Sequence, residues 1–339
     1  MFEIFQERRV ELNIFITGAT GLVGKALIEY LLSKSYGIKA LVRKHSEKLP
    51  LSVKQVIISD LADLTLNNFS GLSREDFNKV EVVVHVAARV HKINDNNSNR
   101  EVEYKKVNCD ATLALARLSA ESGVKRFIFL SSIKVNGETT DANNPFTPND
   151  THVPDDPYAL SKYEAEQGLL ALAKQTDMDV VIIRPPLVYG PGVKGNFSVM
   201  MRWVNRPVLL PFGAINNQRS LIALDNLVSF ISLCVDLKNS AKASNQVLLI
   251  SDGVDVSTTE LLKKIRQASK FQSSLGTKAL LLPIPVNIMM FVAKLLGKSD
   301  VANRLFGSLQ VDSSKACELL GWKPIVNLDQ QLAKIYKEP

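Results

Sequence analysis

Residues 12–24 constrain this chain more than any other stretch. Residues 12–17, Leu-Asn-Ile-Phe-Ile-Thr, read as a strand, and Gly18, Gly21 and Gly24 follow at three-residue spacing. Apolar residues then recur with helical period from Leu22 to Ser33. A strand that passes into a helix through so tight a glycine turn opens an alternating strand–helix pattern, and the rest of the N-terminal half continues it. Strand-like runs recur at 38–42, 55–59, 80–86, 126–130 and 179–184. The run at 80–86 is almost wholly apolar, as expected of a strand buried on both faces. Helical patterns fill 102–122, with Gly123 as a C-cap, and 156–174, with Pro157 at an early helical position.

This alternation predicts an α/β fold, a Rossmann-type doubly wound parallel sheet with helices on both faces. Beyond Arg184 the pattern breaks. Pro185, Pro186, Gly190, Pro191, Gly192 and Gly195 crowd one loop. The expected division is a dinucleotide-binding domain over 1–184 and a smaller C-terminal α/β substrate lobe over 185–339. In such sheets ligands lie at the carboxyl ends of the strands.

The glycine turn fixes the first ligand. Small residues there let the backbone approach a pyrophosphate, which the following helix N-terminus binds. Gly18, Thr20, Gly21, Leu22 and Val23 are the expected contacts. Asp60 and Leu61 end the third strand, where a side chain meets the adenine. The second strand ends in Leu41-Val42-Arg43-Lys44, where an acidic residue would bind the ribose hydroxyls of NAD. Arg43 suits a 2′-phosphate instead, so NADP(H) is expected ahead of NAD(H); Arg43 as a plain surface residue is the competing reading.

Tyr158 and Lys162 stand four apart on the helix after the fifth strand, hence on one face. A phenol with a pKa near ~10 is a poor base at neutral pH, and a nearby cation lowers that value. Ser132, from the Ser131–Ser132 pair leaving residues 126–130, faces the same crevice. The expected catalytic set is Ser132 holding the reacting oxygen, Tyr158 moving its proton, and Lys162 tuning the phenol and holding the nicotinamide ribose.

These residues resemble the extended short-chain dehydrogenase/reductase family, in its sugar-nucleotide epimerase, dehydratase and reductase branch, from about residue 12 to 328. The glycine loop, His85-Val-Ala87-Ala88 with a bracing Asn108, the Ser132–Tyr158–Lys162 set and the 184–191 loop all match it, and the resemblance implies that the backbone at Ala87 passes the cofactor. The resemblance implies a UDP-sugar substrate, with Asn196 and Arg219 at its diphosphate and Lys134 near the sugar. It also implies a homodimer through a bundle of helices 102–122 and 156–174, although their apolar stripes could equally face the sheet. Two residues depart from the family pattern, Lys134 and Asn136. An Asp-Glu pair, needed for elimination, is replaced by Ile133-Lys134, which argues against a dehydratase.

Three functions are weighed. The first is 4-keto reduction of a UDP-2-acetamido-2,6-dideoxy-4-keto-hexose, giving UDP-N-acetylquinovosamine for surface polysaccharide (O-antigen, lipopolysaccharide). The second is a UDP-glucose or UDP-N-acetylglucosamine 4-epimerase. The third, a non-catalytic NAD(P)-binding sensor, would need a degraded triad and ranks last.

Composition bears on location and partners. The net charge is +7, but the basic residues are dispersed, so nucleic acid is not an expected partner. Cys109, Cys234 and Cys317 are far apart, which suits reduced thiols in the cytoplasm. His45, His85, His91 and His152 show no metal-ligand spacing, and residues 1–9 show no signal-peptide core. The apolar segment 279–297, broken by Pro283 and Pro285, is too short to span a bilayer; a core helix and a monotopic membrane contact both remain open.

Overall fold

The computed structural model describes residues 12–90, 99–141, 144–270, 280–297 and 299–337. The N-terminal residues 1–9, His91 and Ala279 lie outside them. The elements in chain order are β1 (Asn13–Thr17), α1 (Leu22–Ser33), β2 (Gly37–Val42), β3 (Lys54–Ile57), β4 (Val80–His85), α2 (Arg100–Tyr104), a π-helical turn (Lys105–Asp110), α3 (Ala111–Glu121), β5 (Arg126–Leu130), α4 (Pro157–Ala173) and β6 (Asp179–Arg184). There follow β7 (Leu187–Tyr189), α5 (Asn196–Val204), β8 (Leu209–Leu210), β9 (Leu221–Ala223), α6 (Leu224–Val235) and β10 (Gln246–Leu249). The chain continues through α7 (Thr258–Lys270), β11 (Leu280–Leu281), α8 (Val286–Leu295), α9 (Ser299–Phe306), α10 (Ser314–Leu320) and α11 (Leu328–Lys337).

Seven strands form one sheet in the order β10-β6-β5-β4-β1-β2-β3, and every pairing is parallel. Successive side chains along a strand point to opposite faces, and the two cores show it. Ile14, Ile16, Val82, Val84, Ile128, Val181 and Ile183 pack on α1 and α6. Phe15, Val83, Phe127, Phe129, Val180 and Ile182 pack on α3 and α4. The sheet is therefore doubly wound as expected, and its order reverses between β1 and β4, where a crevice opens.

Two expectations need correction. The cut at residue 184 does not separate layers: α6 packs against α1, and β10 joins the main sheet beside β6. Both are apolar enough to be buried, and residues 185–223 form an excursion before the chain returns to the sheet. The helix expected over 102–122 starts at Arg100 and is interrupted by the π-helical turn. As for the bundle helices, Ala111, Ala114, Leu115 and Leu118 of α3 and Ala165 and Leu169 of α4 turn inward, into the second core.

No helix among the described residues is long and apolar enough to cross a membrane.

Candidate active site

The glycine turn is shaped by close backbone approaches. Gly18 has φ +70°, and a Cβ there would lie 2.7 Å from the Ala87 nitrogen. A Cβ on Gly24 would lie 2.2 Å from the Gly18 carbonyl oxygen. Gly21 is the N-cap of α1, whose first turn carries no acidic residue. Thr20 and Gly21 are exposed, and Leu22 and Val23 half-buried. The free amides and positive end of α1 thus face an open cradle suited to a pyrophosphate.

The opposite wall is held by a buried hydrogen-bond chain. Thr112 Oγ1 donates to the Asn108 carbonyl at 2.8 Å, so its oxygen accepts from His85 Nε2 at 3.0 Å. His85 Nδ1 is then an acceptor for the Thr17 hydroxyl at 2.8 Å, and Thr17 Oγ1 accepts the Ala87 amide at 3.2 Å. Burial, followed by the charge of Lys162, pushes the His85 imidazole down to about 3. A neutral ring is what this chain of donors and acceptors requires.

Asn108 lies in the π-helical turn. Its Oδ1 accepts the Arg89 amide at 2.8 Å, and its Nδ2 donates to the Arg89 carbonyl and to Ser161 Oγ, both at 3.1 Å. Ser161 in turn donates to the Tyr158 carbonyl at 2.7 Å. One side chain therefore ties the segment after β4 to the helix of the tyrosine, and π-helical turns are frequent at such sites.

Ser132, Tyr158 and Lys162 come together at the carboxyl end of β5. Asp156 caps α4, accepting the Ala159 amide at 3.0 Å. Burial pushes the Tyr158 phenol up to about 12, while its hydrogen bond with the Ser132 hydroxyl pulls the other way. The Tyr158 ring meets Tyr104 edge-on, with centroids 5.8 Å apart. Lys162 is 1 % exposed; its Nζ donates to the Leu130 carbonyl at 2.9 Å and sits 4.4 Å from the Phe129 ring centroid. Burial lowers its ammonium to about 7, against the opposing pull of Glu166. In this arrangement burial is the largest influence on the phenol, and the Ser132 hydroxyl opposes it.

Behind these residues lies a network centred on Glu166, which the sequence does not single out. Glu166 is fully buried; it accepts from Ser131 Oγ and from Arg184, whose Nε lies 3.0 Å from its Oε1. Arg184 Nη1 reaches Asn136, whose Nδ2 donates to the Thr147 carbonyl at 2.7 Å and to Asp150 at 3.0 Å. The available signal was the Lys162–Glu166 spacing, which puts a carboxylate on the inward face of α4.

The remaining expected contacts are placed less uniformly. Arg43 is 76 % exposed at the end of β2, 3.9 Å from Asp60. Asp60 Oδ1 accepts the Ala62 amide at 2.9 Å and caps a short turn starting at Leu61. Lys134 Nζ pairs with Glu138 at 2.9 Å, and Glu138 also holds Arg304 of α9 at 3.1 Å. Asn196 is exposed in the first turn of α5, behind Gly195 at φ +69°. Arg219 is half-buried, and its Nη1 donates to the Arg304 and Gly307 carbonyls, each at 2.9 Å. Among the described residues, no three or more His, Cys, Asp or Glu are grouped to hold a metal ion.

Residues 14–249 match the model of the NAD dependent epimerase/dehydratase family. This chain belongs to that family. It is 45 % identical over 329 residues to a UDP-glucose 4-epimerase of Vibrio cholerae, covering 96 % of this chain and 94 % of the relative. It is 28 % identical over 263 residues to the N-acetyl-alpha-D-glucosaminyl-diphospho-ditrans,octacis-undecaprenol 4-epimerase of Escherichia coli O157:H7, over 76 % of this chain and 72 % of that one. In fold it is similar to the UDP-glucose 4-epimerase of Thermotoga maritima, with a TM-score of 0.73 at 22 % identity over 96 % of this chain and 98 % of that one. The family is NAD dependent, and the turn suits a dinucleotide: Gly18 and Gly24 pack directly on backbone with no room for a Cβ, which brings the N-terminus of α1 bare of side chains to the crevice.

Proposed function

We propose that the protein is a nucleotide-sugar 4-epimerase acting on a UDP-hexose or its 2-acetamido form. The observation that carries this reading is the near end-to-end likeness to the Vibrio cholerae relative, in a chain that keeps Ser132, Tyr158 and Lys162 in one crevice. A bound nicotinamide dinucleotide supplies a hydride acceptor, and afterwards a donor, for sugar C4. The proton belongs to the chain. Acting as its phenolate, a form that the positive charges of Lys162 and an oxidised nicotinamide would favour, Tyr158 takes it from the C4 hydroxyl as the carbonyl forms and, as the phenol, returns it when the carbonyl is reduced from the other face. Ser132 holds the same oxygen, and Lys162 holds the ribose beside it. Asn196 and the Arg219 donors other than Nη1 are assigned to the diphosphate, which a guanidinium fork suits.

Reduction of a 4-keto-6-deoxy UDP-hexosamine with NADPH is the second reading. Exposed Arg43, standing where an acid would hold a ribose, favours it; the nearness of Asp60, which competes for the cation, favours epimerisation. The experiment offers purified protein UDP-glucose or UDP-N-acetylglucosamine with NAD⁺, and separately the 4-keto-6-deoxy sugar nucleotide with NADPH. Unchanged mass with an inverted C4 proton coupling supports the epimerase. A two-hydrogen mass gain with loss of NADPH absorbance overturns it in favour of the reductase, and an Arg43→Ala variant should then bind NADPH about tenfold more weakly.

A further inference from the structure

Helix α8 is turned the wrong way round for a helix that faces only water. Met289 is its buried residue, while Ile288, Phe291, Val292 and Leu295 are 54, 63, 46 and 71 % exposed. They recur at i, i+3, i+4 and i+7, so they form one continuous outward stripe. Leu296 extends it at 69 % exposure. The neighbouring ribbon behaves alike: Leu209 and Leu280 are register partners in β8 and β11, and both are exposed. Eight of the sixteen exposed large apolar side chains among the described residues fall within 208–209 and 280–296. That clustering marks a surface, since isolated exposed apolar residues are ordinary.

The charge on these segments has one sign. Arg202 and Arg206 at the end of α5 lead into β8, whose preceding Val208 carbonyl accepts the Leu280 amide; residues 202–212 and 280–297 carry Arg202, Arg206 and Lys294, all exposed, and no Asp or Glu. Lys294 lies on α8 itself, beside the stripe. The helix is also firmly mounted. α8 packs on α9, and the last carbonyls of α9 accept hydrogen bonds from Arg219, Asn217 and Thr258. The same α9 reaches the loop after Ser132 through Arg304 and Glu138.

We infer that the outward face of α8 is a peripheral docking surface for an anionic lipid bilayer. Phe291, Ile288, Val292 and Leu295 enter the boundary between headgroups and acyl chains, and Lys294 and the neighbouring arginines meet lipid phosphates. Aliphatic stems of Lys and Arg suit this edge, since they lie on apolar surface while the charge stays at the headgroups. An anionic bilayer satisfies both the apolar stripe and the one-signed charge. A second copy of this chain would satisfy the stripe but bring Lys294, on the same helix, against its own counterpart. This inference does not depend on which C4 reaction the crevice runs.

The test is co-sedimentation of the full chain with vesicles of phosphatidylcholine alone and with about one-third phosphatidylglycerol. The wild type is expected to pellet with the anionic vesicles, less so with the neutral ones, and to be released in part at about 0.5 M salt. Phe291→Ser/Leu295→Ser should weaken binding at least about tenfold, with an unchanged melting curve, because both side chains are already exposed. Wild type that stays in the supernatant overturns the inference, as does a double variant that pellets equally well. Light scattering separates the remaining case: if the double variant turns a dimer into a monomer and neither form binds vesicles, the face belongs to a second copy.

Discussion

Arg184 Nη1 donates to Asn136 Oδ1 at 2.9 Å, between two side chains that are each 4 % exposed. Asn136 also satisfies the Thr147 carbonyl and Asp150. Replacing it by Ala leaves a buried guanidinium donor and a carbonyl without this partner. Asn136→Ala should therefore lower stability by about 2–3 kcal/mol, read as a lower urea midpoint at unchanged slope. An unmoved midpoint would show that the loop does not depend on this bridge.

Tyr158→Phe keeps the ring that meets Tyr104 and removes only the hydroxyl. Turnover should fall by roughly 10²–10⁴, while titration of NAD(H) into the variant shows essentially wild-type affinity. Full turnover would remove Tyr158 from the proton path.

Gly24→Ala places a methyl group 2.2 Å from the Gly18 carbonyl oxygen, and Gly18 is itself backed by Ala87. The backbone must shift, at about 1–3 kcal/mol for such overpacking. The cradle moves with it, so dinucleotide affinity should fall more steeply than stability, by isothermal titration against thermal melting. A variant that binds normally would place the dinucleotide elsewhere.

His85 makes stability depend on pH. Its folded value is lowered from 6.5 to about 3, so between those values the unfolded chain binds the extra proton. The contribution is complete above pH 6.5 and is lost as pH falls toward 3, with a slope of up to about 1.4 kcal/mol per pH unit. The stability difference between wild type and His85→Gln should narrow from pH 7 to pH 5 in paired denaturant titrations. A constant difference would mean that His85 takes up its proton as readily in the folded chain as in the unfolded one.

The sheet was legible because its signals are local. The runs at 12–17, 80–86, 126–130 and 179–184 alternate or saturate with apolar residues, and each forms a strand within a residue or two of the expected bounds. The seventh strand was not, since Gln246–Leu249 is four residues long and its neighbour β6 is more than sixty residues away in sequence. In the site, the nearness of Ser132, Tyr158 and Lys162 could be read from the glycine turn, the serine pair and the Tyr–Lys spacing taken together. Glu166 could not, and Asn136 could be read only as a departure from the family pattern, because their roles come from partners such as Arg184 that only the folded chain brings near. Arg219 shows the converse: a guanidinium read as a phosphate ligand also closes the end of α9.

The π-helical turn at Lys105–Asp110 holds one residue more than regular winding would. Each residue of an α-helix turns the chain by about 100°, so that extra residue sets the bearing of everything after it relative to everything before. Straightening the turn by losing a single residue would make a more uniform rod, and would swing Asn108 away from either Arg89 or its place over Ser161. The irregularity acts as a gear tooth: it lets one helix address the end of β4 and the tyrosine helix at once, which an even spiral of the same length cannot do.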